Sequence, residues 1–151
     1  MAEIPKFAAD RMVARLARWL RLLGADVISD ERLAGAAMLR RARAEGRLML
    51  TRDKRLRTAS DVLYLEHGDF RGQLRAVLER CPFDIRRQAF TRCSRCNTPL
   101  RQIAREVVGG RIPPYVYASQ ERFALCDRCG RVYWEATHPE RARREIDRLM
   151  S

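Results

Sequence analysis

Three aspartates stand where a short apolar run turns abruptly polar. Asp10 follows Phe7-Ala8-Ala9, Asp30 follows Ala25-Asp26-Val27-Ile28 and Ser29, and Asp53 follows Leu48-Met49-Leu50 and Thr51-Arg52. If these runs are strands of one open parallel sheet, they point the same way. The acids after them then gather at the sheet edge where such folds place ligands and chemistry. Crowded carboxylates repel and raise one another's pKa. A hard cation relieves that: Mg²⁺ or Mn²⁺ takes oxygen ligands and keeps several waters. Such a site can orient a water, help deprotonate it and offset charge during in-line attack on a phosphodiester. Each acid also has a plainer use, because Asp and Glu favour helix N-termini. That reading applies singly to Asp10, Asp30, Glu31, Asp53 and Asp69.

Four of the five cysteines form two Cys-x-x-Cys pairs, Cys93-Ser94-Arg95-Cys96 and Cys126-Asp127-Arg128-Cys129. Each turn supplies two thiolates. Four protein ligands complete a tetrahedral Zn²⁺ with no open position, so the metal is structural. An odd cysteine count fits a closed disulfide framework poorly. Cys81, alone before Pro82, reads as a half-buried core thiol, and His138 as a packing or surface residue rather than a ligand.

The elements that must carry these residues follow from apolar spacing. After the strand ending at Asp10, residues 11–23 take a helical period, with Met12, Val13, Leu16, Trp19 or Leu20, and Leu23 on one face. Arg11, Arg15 and Arg18 fall on another face, with Arg21 nearby, and no acid balances them. That stripe is either a solvated face or a phosphate-contact surface. Gly24 ends this helix. A second strand, 25–28, precedes a helix over about 32–45 that Asp30 or Ser29 would cap and Gly46 closes. A third strand, 48–50, delivers Asp53, and a fourth, 62–65, leads to a helix over 70–80 with Leu74, Val77 and Leu78 inward. Strands alternating with helices argue for right-handed βαβ units and a parallel α/β sheet. Residues 82–92 break the rhythm as a connector or edge strand. From Cys93 the chain is rich in Cys, Pro, Gly and aromatics, as short ribbons around a metal would be. Thr137 and Glu140 form a capping box opening a terminal helix, docked by Ile146, Leu149 and Met150.

A chain of 151 residues holds one domain, or one with an appendage. Its formal charge is +12, carried mostly by Arg, and four thiolates with bound Zn²⁺ would bring it to +10. Such a balance points to a polyanionic partner, nucleic acid before a membrane surface. No apolar run approaches about 18 residues. Glu3 and Lys6 spoil any signal-peptide pattern. The expectation is a soluble, cytoplasmic protein with no membrane partner.

The run Lys6-Phe7-Ala8-Ala9-Asp10-Arg11-Met12, the stretch Arg15 to Gly24, and Leu50-Thr51-Arg52-Asp53 resemble the opening of the Mut7-C family. So do Arg92-Cys93 with Cys96-Asn97, Phe123 to Cys126, and Cys129-Gly130-Arg131-Val132-Tyr133-Trp134 with His138. The resemblance implies a PIN-like ribonuclease domain, here 1–90, joined to a C-terminal zinc ribbon, here 91–151. It implies Asp10, Asp30 (with Glu31 as competitor) and Asp53 as the acids holding Mg²⁺ or Mn²⁺, and Asp69 as a fourth. On this reading the enzyme is an endoribonuclease. Arg11, Arg15, Arg18 and Arg52 contact phosphates, Arg95, Arg128 and Arg131 extend the surface, and Tyr133 and Trp134 either stack on bases or pack the ribbon core. The RNA is tRNA, rRNA or single-stranded RNA. Two other readings stand beside it: a binder of structured RNA that cleaves nothing, and a toxin-like nuclease held by an antitoxin-like partner. PIN-like domains often form homodimers.

Overall fold

The computed structural model describes residues 3–134, 144, 147 and 148. Four strands, β1 (Lys6–Ala9), β2 (Asp26–Ser29), β3 (Leu48–Thr51) and β4 (Val62–Tyr64), form an all-parallel sheet in the order β2-β1-β3-β4. Helices α1 (Ala14–Leu22), α2 (Ala36–Ala44) and α3 (Phe70–Arg80) flank it. Alternate strand residues point to opposite faces, and the chain uses both. Phe7, Ala9, Val27 and Leu50 join Leu16 and Leu20 of α1 and Leu74 and Val77 of α3 in one core. Ala8 and Met49 join Met38, Leu39 and Ala42 of α2 in the other. Cover on both faces explains why these strands read as unbroken apolar runs.

Two helix starts differ from expectation. Residues 11–13 form a 3₁₀ turn rather than the first turn of α1, which leaves Met12 exposed instead of on the apolar face. The second helix begins at Ala36, not near residue 32. Gly35, at φ +53°, occupies its N-cap position, and Asp30 instead closes the turn before it by accepting the Arg32 N–H at 2.9 Å. Residues 82–92 are a connector holding the short α4 (Ile85–Gln88), with no edge strand. Cys81 is half-buried beside the first core, as expected.

Gly24, at φ +102°, lets α1 end directly against α4. A Cβ there would lie 2.3 Å from the Gln88 carbonyl oxygen. Gly24→Ala combines left-handed strain with a backbone clash and is expected to cost about 2–4 kcal/mol, measured as a fall in the urea midpoint at constant slope.

Beyond the connector, β5 (Arg101–Ile103), β6 (Phe123–Leu125) and β7 (Val132–Trp134) make an antiparallel sheet in the order β5-β6-β7. With α5 (Pro114–Ser119) it encloses a small core of Val108, Val116 and Phe123. The expected terminal helix and His138 fall outside the described residues, save that Arg144, Asp147 and Arg148 are helical. Among the described residues no helix is long and apolar enough to cross a membrane.

Candidate functional site

The order β2-β1-β3-β4 reverses direction between β1 and β3, and ligands of open α/β sheets bind at such a switch point, beyond the strand C-termini. Asp10 and Asp53 leave β1 and β3 there. Asp10 is only 3% exposed. Its Oδ1 accepts the Met12 N–H at 2.9 Å and its Oδ2 accepts the Thr51 hydroxyl. Thr51 Oγ1 in turn accepts the Asp53 N–H at 3.0 Å, so one buried hydroxyl fixes both acids. Asp10, Asp30 and Glu31 line one cleft of about 660 Å³ with Arg11, Arg18 and Arg95. Asp53 lines a separate cavity of about 380 Å³ beside Gly35. Asp69 caps α3 through the Gly72 N–H at 3.0 Å and faces a third cavity with Arg15 and Phe70.

The capping use of these acids is thus present in the fold. Hydrogen bonds from Arg32 hold the Asp30 carboxyl below its ordinary range, and those from Arg55 do the same for Asp53. The arginine stripe divides. Arg11 and Arg18 reach the cleft. The Arg15 guanidinium lies 4.0 Å over the Phe70 ring. Arg52 donates to the Leu65 carbonyl at 3.0 Å and to the His67 carbonyl, fastening the segment after β4.

In the ribbon, the sulfurs of Cys93, Cys96, Cys126 and Cys129 all lie within 4.8 Å of one another. The 3.8 Å between Cys93 and Cys129 Sγ matches the edge of a tetrahedron with Zn–S bonds of about 2.3 Å. Burial pushes the Cys93 thiol up. The Tyr133 hydroxyl, 3.0 Å from its sulfur, and the Cys96 and Arg95 amides outweigh that and bring it to about 7. Burial and the neighbouring thiols push Cys96 up to about 12. Thiolates that resist sharing one small volume are what a bound dication relieves, so the donor set fits Zn²⁺. Tyr133 therefore serves the cluster, and Trp134, half-buried, packs on the ribbon core while part of it lines a groove. The acids offer hard oxygen donors. Each Asp10 oxygen has met one partner and keeps room for a second, but among the described residues only the four cysteines, not the acids, gather as a group of three or more metal donors.

The family model of the Mut7-C RNAse domain matches residues 5–146, a span that takes in both sheets, the acids and all four paired cysteines. The chain belongs to this family. No curated protein and no solved structure matches it. Membership carries an RNase-type function to this Mut7-C RNAse domain and RNA as its substrate.

Two residues, Arg21 and Asn97, fasten the ribbon to the parallel sheet, and Arg47 steadies the Asp26 carboxylate that Asn97 meets; sequence reasoning gave none of them this role. Arg21 is 6% exposed. It donates to the Val27 carbonyl at 2.8 Å, to Ser29 Oγ at 2.9 Å, and to the Ser94 and Arg95 carbonyls at 3.1 and 3.3 Å. Its signal was its phase, four residues after buried Ala17 and next to Leu20. Asn97, at φ +65°, follows the first cysteine pair; it donates to Asp26 at 2.7 Å and accepts the Val27 N–H at 2.9 Å. Arg47 Nη1 meets the same Asp26 oxygen at 2.8 Å.

Burial alone would raise the Asp26 carboxyl, but its bonds to Arg47 and Asn97 hold it below the usual range. A depressed folded pKa contributes stability above the unfolded value of about 4 and loses it as pH falls through the folded value. Asp26→Asn is therefore expected to melt below wild type at pH 7. The gap should close as both are acidified below about pH 4, which thermal melts across pH 3–7 would read.

Proposed function

We propose that this Mut7-C RNAse domain is an endoribonuclease that hydrolyses RNA phosphodiester bonds in the cleft of Asp10 and Asp30, with residues 1–90 as the nuclease unit and 91–151 as its zinc ribbon. The observation that carries the reading is Asp10. It is a buried carboxylate at the switch point, joined through Thr51 to Asp53 and sharing one cleft with a second acid and several arginines. Mg²⁺ or Mn²⁺ held by Asp10 and Asp30, which share the cleft, would lower the pKa of a bound water and neutralise charge on the phosphodiester, with Asp53 acting from its own cavity through Thr51. The protein groups do the rest. Asp30 and Asp53, held ionised, are weak bases near neutrality, so they orient and attract rather than carry protons. Met12 N–H and the Thr51 hydroxyl keep Asp10 in one rotamer. Arg11, Arg18 and Arg95 supply cations for the phosphates on either side of the cut. Asp69 and Arg15, on the far side of the 3₁₀ turn, would meet a more distant part of the RNA.

The test is cleavage of end-labelled single-stranded RNA and tRNA by zinc-loaded protein, with Mg²⁺ or Mn²⁺ and with EDTA. Cutting that needs the added divalent ion is the expected result. Salt-steep binding without cutting under any condition would make the protein an RNA binder instead.

A further inference from the structure

The turn Cys93-Ser94-Arg95-Cys96 separates two cavities. Arg95 lines the acid cleft. Ser94 lines a groove of about 470 Å³ between the ribbon sheet and the α4 connector, within the roughly 300–1,000 Å³ of small-ligand sites. Arg21 fixes the crest between them by donating to both the Ser94 and Arg95 carbonyls. Phe90, from the connector, and Tyr133 and Trp134, from the ribbon sheet, line the groove together with arginines. Phe90 sits at φ +65°, where a bulky residue is strained. Its N–H is anchored on the Leu22 carbonyl at 2.8 Å. Strain of this kind concentrates where a side chain must be held for a ligand. The Trp134 indole N–H is buried without an acceptor among the described residues. Gln102 adds an exposed amide and Arg86 a cation.

We propose that this groove is a subsite for an unpaired nucleobase of the RNA strand that flanks the scissile bond, an inference that rests on the nuclease reading above. Aromatic side chains contributed by both the connector and the ribbon offer a base the stacking that any π-face accepts. The amide can read a base edge, and the cation suits the adjoining phosphate. A strand crossing the Ser94–Arg95 crest puts a base in the groove while its neighbouring phosphate lies among Arg95, Asp10 and Asp30. The site selects single-stranded over paired RNA, because a base in a duplex cannot leave its stack without cost.

The chain has two tryptophans. Trp19 stacks on Phe70 at 5.4 Å, away from the groove, so Trp19→Phe leaves Trp134 as the sole tryptophan, read by selective red-edge excitation. Zinc-loaded Trp19→Phe protein, without Mg²⁺ or Mn²⁺, is titrated with hexaadenylate and with an abasic hexamer of the same charge. The expected result is quenching by hexaadenylate alone, with affinity weakened about tenfold by Phe90→Leu and more mildly by Gln102→Ala. Equal responses to both hexamers would mean phosphate contact only and would overturn the proposal. So would no response from protein that still cuts RNA, which leaves the nuclease reading standing. A base-dependent response from protein that cuts no RNA with either ion would keep the base site and remove the nuclease reading.

Discussion

Asp10→Asn is expected to lower RNA cleavage by about 10³-fold, on the order of losing a principal charge-stabilising or acid–base group, while the melting temperature stays near that of wild type. The separation of effects follows from the bonds Asp10 makes. An amide oxygen can still accept the Met12 N–H, and an amide nitrogen can donate to Thr51 Oγ1, whose hydroxyl is free to turn. The packing therefore survives, and what disappears is one negative charge at the switch point. Single-turnover cleavage at saturating RNA, beside a thermal melt and a zinc assay, reads both. Asp53→Asn should lose activity as well, since its amide remains fixed by Thr51. Full activity in the Asp10 variant would place the chemistry elsewhere.

Removing zinc is expected to unfold the ribbon outright. Its core is three buried side chains, Val108, Val116 and Phe123, each worth about 1.5–3 kcal/mol of burial. Ordering a backbone segment of that length costs about 1–2 kcal/mol per residue. Structural zinc in small modules contributes on the order of 10–16 kcal/mol, enough to decide the balance. Cys126→Ser, or titration with a strong chelator, should release one equivalent of zinc per chain and abolish the near-ultraviolet signal of Trp134. The parallel sheet should persist with a lower melting temperature. Because Arg95 is then no longer presented to the cleft, affinity for RNA falls with the metal. A ribbon that keeps its near-ultraviolet signal after quantitative zinc loss would contradict this account.

The strands were legible because both sheet faces are covered, which leaves plain apolar runs ending in polar residues. The helix over 70–80 was legible because Asp69 caps it and its apolar spacing is regular. The starts of α1 and α2 were not, since 3₁₀ and turn geometry before a helix leaves no mark on a 3.6-residue period. The gathering of the four cysteines into one metal-binding group could be read from spacing alone. The acids could be named, but not their grouping. Spacing along the chain says nothing of which cavity a carboxylate faces, and Asp53 and Asp69 each face a different one from Asp10. Arg21 looked like one more member of a basic stripe, although its phase placed it inward.

Strand β2 is one of the two outer strands of the parallel sheet. Both polar groups of its central residue, the Val27 N–H and C=O, are taken by side chains, Asn97 and Arg21. An uncovered strand edge is a template for pairing with another chain. Asn97 comes from the first cysteine turn, so zinc capture also hides a self-association edge. During synthesis the sheet emerges well before the second cysteine pair, and until that pair closes the metal site the Val27 N–H of β2 depends on an Asn97 whose turn is not yet fixed. Zinc scarcity should therefore be felt by this protein first as loss of soluble chains, ahead of any loss of turnover per folded molecule.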